Sequence, residues 1–211
     1  MIDRRYAIAA LAALTLQAAP FTMSAVSANT AVVNQPAPNF SLQDASGKTV
    51  SLADFKGKFV VLEWVNPGCP YVRKHYDSGN MPGTQKEAEA KGVVWLSVSS
   101  TATDSPDYKN GADLQAWLKS KGAAPTAVLM DEKGITGQAY GARTTPHMYI
   151  IDRLGKLIYA GAIDSKPTSR AEDVATATNY VKQSLNEALA GQPISQAVTK
   201  PYGCSVKYAH G

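Results

Sequence analysis

Apolar positions along this chain alternate between two periods, and the alternation itself predicts the architecture. FVVLEWV, at 59–65, is a continuous run of β-branched, apolar and aromatic residues of strand length, which predicts a buried central strand. Asn66-Pro67-Gly68 stops it, and a helical pattern restarts at 71–76, breaks near Ser78-Gly79-Asn80 and resumes at 85–91. Strands are predicted at 93–99 and 126–130, separated by a polar loop at 101–110 and a helix at 112–121 with Leu114, Trp117 and Leu118 on one face. A short helix follows at 135–140, then a hairpin formed by 148–152 and 156–162 across Arg153-Leu154-Gly155. Residues 171–190 predict one long amphipathic helix, with Val174, Tyr180, Val181, Leu185 and Leu189 at helical spacing. Ahead of the central strand, FSLQDASGKTVSLADFKGK reads as a further hairpin around Ala45-Ser46-Gly47. Strands separated by helices, closed by a hairpin and a final helix, describe an α/β sandwich around a mixed central sheet. Trp64, Trp95 and Trp117 fall in its apolar periodic segments and are expected in the core.

The N-terminus sets the compartment. MIDRRYAIAALAALTLQAAP has a charged start at Arg4 and Arg5 and an apolar run at 7–19, and Ser24-Ala25-Val26-Ser27-Ala28 offers small residues for cleavage after Ala28. This is the pattern of a secretory signal peptide, short of the ~20 residues a membrane span needs, so stable membrane insertion is not expected. The expected organisation is a signal peptide at 1–28, one domain at 29–190 and a C-terminal tail at 191–211, in a periplasmic protein. Cleavage of 28 of the 211 residues leaves 183, enough for one domain with a sizeable core. The 21 Lys and Arg and 17 Asp and Glu are interspersed, and a net charge of +4 without a basic run does not imply nucleic acid.

Two cysteines, Cys69 and Cys204, carry the candidate chemistry. Cys69 lies in NPGCPYV, between a Pro-Gly turn and Pro70, a residue suited to the first position of a helix. That places the thiol at a helix N-cap, where unsatisfied N–H groups and the macrodipole favour thiolate over thiol. Arg73, Lys74 and His75 fall in the next two turns. An inert core cysteine, or half of a permanent disulfide with Cys204, is the alternative; the turn and proline favour the reactive reading. Downstream, RTTPHMYIID enters a strand through Thr145-Pro146, a candidate cis-proline.

WVNPGCPYV, RTTPHMYIID followed by GKLIYAGAID, and the terminal PYGCSVKY together resemble the thioredoxin-fold redoxins of the AhpC/TSA type, in the peroxiredoxin-like subgroup. The resemblance implies a thioredoxin-like fold and a thiol-dependent oxidoreductase with antioxidant or thiol-disulfide chemistry and no cofactor. It makes Cys69 the nucleophile, Pro146 the cis-proline facing it, and Cys204 a terminal cysteine able to resolve the product. A peroxide, or a protein thiol or disulfide, is the implied substrate, with an envelope reductant as partner.

The departures bear on mechanism. Peroxiredoxins carry proline and threonine seven and three residues before the cysteine; here Leu62 and Asn66 stand there, and Pro146 takes the place of their arginine, with Arg143 nearby but not aligned. Val72 replaces the second cysteine of a Cys-x-x-Cys motif, which excludes exchange within the motif. A remote pair, Cys69 with Cys204, remains. A non-enzymatic alternative is copper held by Cys69, His147 and Met148, with His75 and His210 weaker candidates; another is a redox-silent scaffold stapled by Cys69–Cys204.

Overall fold

A computed structural model describes residues 30–209. The predicted signal peptide at 1–28 and His210 lie outside the described residues. Strand β1 (Ser41–Asp44) and β2 (Thr49–Ser51) form the first hairpin; β3 (Val60–Trp64) is the central strand, followed by α1 (Pro70–Asp77) and α2 (Asn80–Ala90). Next come β4 (Val94–Ser99), α3 (Gly111–Ser120), β5 (Ala127–Met130), α4 (Ile135–Tyr140), β6 (Thr144–Thr145), β7 (His147–Ile151), β8 (Leu157–Gly161), α5 (Tyr180–Leu189) and β9 (Cys204–Ser205).

Seven strands make one sheet in the order β2-β1-β5-β4-β3-β7-β8. The β3–β4 and β4–β5 pairs are parallel and the β3–β7 and β7–β8 pairs antiparallel, so the sheet is mixed. In β3 all five residues are buried, as an interior strand covered on both faces requires. Val61 and Val65 face the side covered by α1, α2, α3 and α5; Val60, Leu62 and Trp64 face Phe40, Tyr140 and Tyr149. Trp64 and Trp95 are fully buried, and Trp117 is half-buried with its ring 4.8 Å from Tyr76.

Two predicted helices differ from those observed. The helix at 85–91 begins earlier, at Asn80, because Gly79 takes the left-handed conformation before it and Pro82 sits in the first turn, where its missing N–H costs nothing. The single helix at 171–190 is instead a 3₁₀ segment at Ala171–Thr176 with no buried residue, then α5. Asn179 interrupts it: its side chain accepts from the Lys182 N–H, capping α5, while its backbone bridges to Asp164.

The tail crosses back over the domain. Val198 bridges to Ala160, the Thr199 hydroxyl accepts from the Ala162 N–H at 2.9 Å, and β9 pairs with β6 to form a second, two-stranded sheet. Beyond β9, Val206 N–H donates to Arg143 O, Ala102 N–H donates to Lys207 O, and Tyr208 Oη donates to Ala142 O.

Candidate active site

Three segments far apart in sequence meet at Cys69. The first is the turn after β3. Asn66 builds it twice, its side-chain oxygen accepting from Gly68 N–H at 2.7 Å and its carbonyl from Cys69 N–H at 3.0 Å. Gly68 packs tightly there: a Cβ would stand 3.0 Å from an Asp107 side-chain oxygen. Cys69 is the N-cap of α1 with Pro70 at its start, and its carbonyl accepts from the Val72 and Arg73 N–H groups. Val72, where a Cys-x-x-Cys motif has its second thiol, is fully buried in the core.

The second segment is the loop into β7. The Thr145–Pro146 peptide is cis, and the Cys69 thiol donates to Thr145 O at 3.0 Å. The third is the tail: Thr145 is register partner to Cys204, whose backbone N–H donates to Cys69 Sγ at 3.4 Å across 135 residues of chain. The structure thus brings Cys69, Pro146 and Cys204 together, with both cysteines as free thiols. Burial pushes the Cys204 thiol up to about 12, and the hydrogen bond and charge of Cys69 add to it; Asp107 acts the same way and Lys207 opposes it. Cys69 itself is 1% exposed, beneath the tail.

Glycine at 203 is what lets the tail approach. Its φ is +136°, and a Cβ would fall 2.1 Å from Thr145 O, a backbone atom that cannot step aside. We expect Gly203→Ala to loosen β9 from β6. A strain of about 1–3 kcal/mol raises the population of the lifted tail about fivefold or more. Alkylation of Cys69 by iodoacetamide accelerates accordingly; an unchanged rate would show that the tail does not control access.

The basic residues after Cys69 do not all face it. Arg73 Nε donates to Pro67 O at 2.8 Å, bracing the turn. Lys74 and His75 are buried with Asp164: Lys74 Nζ lies 3.3 Å from Asp164 Oδ2 and donates to Lys166 O at 2.7 Å. His75 is pushed down to about 4 by burial, with Lys74 adding and Asp164 opposing, so it is neutral. Tyr202 enters this cluster from the tail. Sequence reasoning missed it and also Glu63, which lies fully buried within the central strand.

His147 and Met148 do not converge with Cys69. Met148 packs in the cluster that holds Cys69, whereas His147 turns to the opposite sheet face and stacks on Tyr149 at 4.5 Å. Its Nδ1 accepts from Arg143 N–H at 3.3 Å and faces Tyr149 Oη at 3.0 Å. Burial, with Arg143 adding, pushes it down to about 3. The copper ligand set of the non-enzymatic alternative, Cys69 with His147 and Met148, is therefore not assembled. Among the described residues no group of three or more His, Cys, Asp or Glu side chains is placed to hold a metal.

Comparison with known proteins identifies the family. The AhpC/TSA family profile matches residues 33–160, a span that includes Cys69 and Pro146 and ends before the tail. The thioredoxin-like protein YneN of Bacillus subtilis is 30% identical over 143 residues, 66% of this chain and 78% of that protein. Thiol-disulfide oxidoreductase ResA of Bacillus thuringiensis subsp. konkukian is 27% identical over 133 residues, 60% of this chain and 67% of its own length. The crystal structure of an uncharacterized conserved protein from Geobacillus kaustophilus covers 87% of this chain and 95% of its own at 26% identity, with a TM-score of 0.71. On these grounds, and on its fold, the chain belongs to the AhpC/TSA family of thioredoxin-fold redoxins.

Proposed function

We propose that this protein is an exported thiol-disulfide oxidoreductase in which Cys69 is the nucleophile and Cys204 the resolving cysteine. The observation that carries the reading is the Cys204 N–H held 3.4 Å from Cys69 Sγ beside the cis-proline. Similarity to a protein named thiol-disulfide oxidoreductase supports the reaction class. The domain at 29–190 supplies the nucleophile, the tail at 191–211 supplies its partner, and the signal-like N-terminus supports export to the periplasm. Among the described residues no helix is long and apolar enough to cross a membrane.

The reaction runs in two displacements. The Cys69 thiolate attacks one sulfur of a substrate disulfide, forming a mixed disulfide and releasing the other half as a thiolate. That bond removes the interaction with the Cys69 sulfur, which adds to burial in holding the Cys204 thiol up at about 12. Cys204 then loses its proton more readily, the proton passing to the departing thiolate or solvent. Its sulfur attacks Cys69 Sγ and expels the second half of the substrate. The protein is left as the Cys69–Cys204 disulfide, the substrate as two thiols, and a dithiol reductant of the envelope restores the protein. The order of attack is thus set by Cys204, whose thiol is held protonated chiefly by burial and is therefore the poorer first nucleophile.

Disulfide rather than peroxide is favoured as oxidant. Leu62 is buried on the sheet face opposite Cys69, the Asn66 side chain is committed to Gly68, and Pro146 stands where an arginine would hold a peroxide. The test is to react the reduced protein with glutathione disulfide or hydrogen peroxide and follow thiols and mass. Glutathione disulfide should consume both thiols with no glutathione retained, while peroxide reacts no faster than with an ordinary thiol. Peroxide consumption exceeding that of a free thiol by about 10³-fold would make the protein a peroxidase instead.

A further inference from the structure

We propose that Tyr202 is the latch of the catalytic tail: its side chain sets both how often Cys69 is uncovered and how well Cys204 is presented to it. This rests on the Cys69–Cys204 cycle proposed above and names the residue that governs it.

The geometry is unlike that of a surface aromatic. Tyr202 stands two residues before Cys204, and its hydroxyl reaches into the buried cluster on α1. It donates to Asp164 Oδ1 and accepts from His75 Nε2 at 3.0 Å and Lys74 Nζ at 3.4 Å. His75 is fixed for that role, because its Nδ1 accepts from the Asn80 amide at 2.9 Å, leaving the proton on Nε2. Asp164 is fixed by Lys74 at 3.3 Å and by the Lys166 N–H at 3.0 Å. The ring packs against Tyr71 at 5.9 Å between centroids and lies under the Lys74 ammonium at 5.4 Å. Tyr71, Lys74 and His75 belong to the helix that Cys69 caps, so Tyr202 ties the tail to the nucleophile's own helix.

Two consequences follow from one contact. Cys69 is 1% exposed, so a substrate disulfide reaches its sulfur only when the segment around Cys204 lifts between the anchors at Thr199 and Val206. Resolution needs the reverse, Cys204 held against Cys69. A latch therefore slows the first displacement and speeds the second, and its loss moves the two steps in opposite directions.

The experiment uses the full chain. Iodoacetamide alkylation of Cys69 is measured in a Cys204→Ser background, with and without Tyr202→Ala. The second step is followed in the two-cysteine protein with dithionitrobenzoate: attack by Cys69 releases one equivalent of thionitrobenzoate, and displacement by Cys204 releases a second in a concentration-independent phase. For Tyr202→Ala we expect alkylation to rise about threefold or more and the second release to slow about tenfold or more. Tyr202→Phe, which keeps the ring and loses the hydroxyl, falls between. A second release within twofold of wild type in Tyr202→Ala, or both steps slowed together, overturns the latch and leaves the cycle standing. A wild type that releases only one equivalent overturns the cycle and the latch with it. Circular dichroism of each variant identifies a fold lost outright, in which case Tyr202→Phe carries the comparison.

Discussion

Cys69→Ala should abolish disulfide reduction, by about 10³-fold or more, because no second thiol can take over the first attack. The motif's other position is Val72, buried in the core, and Cys204 is held as a thiol by burial and by its neighbour. Cys204→Ser should give a different phenotype. Its first displacement proceeds, but the product stalls as a Cys69 mixed disulfide visible by mass spectrometry after one turnover. Its melting temperature should move little, by about 2 °C or less, since the tail keeps its anchors at Thr199, Tyr202, Val206 and Tyr208. The competing reading, a permanent Cys69–Cys204 staple, predicts the reverse. Closing 135 residues of chain is worth about 4–5 kcal/mol in the chain-entropy model, and its loss would lower the melting temperature by roughly 10 °C or more. A large loss of stability with no trapped mixed disulfide would therefore remove Cys69 as nucleophile.

What the sequence made legible was what depends on neighbours in sequence. The central strand, the short helix at Ile135–Tyr140 and the Cys69-Pro70 helix start follow from apolar runs and turn residues that act within a few positions. The two helix errors are local competitions that periodicity cannot weigh. Pro82 is tolerated in a first turn, and Asn179 caps a helix only because Asp164 holds its backbone. The environment of the site was hidden for a different reason. Lys74 and His75 looked like charges flanking a thiol, yet their partners Lys166 and Tyr202 lie 92 and 127 residues away, and burial with Asp164 turns them from Cys69. His147 and Met148 are adjacent in sequence and therefore on opposite faces of β7, a strand rule that already argued against a shared metal. Tyr202 lies in the terminal PYGCSVKY that carries the resemblance, but its partners gave no signal, because an aromatic in an aperiodic tail is informative only once its pocket is known.

Glu63 is the largest stability effect we expect, and it too follows from a residue that breaks an apolar pattern. It is fully buried in β3, on the face that carries Val61, Val65 and the nucleophile's helix. Four donors converge on its carboxylate: Tyr76 Oη at 2.7 Å, Trp95 Nε1 at 2.8 Å, and Gln85 Nε2 and Ser97 Oγ each at 3.2 Å. Glu63→Leu strands all four in the core. At about 1–3 kcal/mol for each orphaned group, partly relieved by hydroxyl rotation, the loss should be about 3–6 kcal/mol. The melting temperature should then fall by about 10 °C or more. Glu63→Gln retains an acceptor for Trp95 and should cost far less, about 1–2 kcal/mol. It also isolates the charge. Burial raises the Glu63 carboxyl above its usual 4.5, against the pull of its hydrogen bonds, so the folded state holds this proton more tightly than the unfolded one. That stabilisation is fully present below 4.5 and is lost as pH rises through the folded value. Wild type should therefore gain on Glu63→Gln as the pH is lowered through that window, measured by urea unfolding at a series of pH values. A Glu63→Leu variant as stable as wild type, or a wild-type advantage over Glu63→Gln that shrinks on acidification, would refute this account of the buried carboxylate.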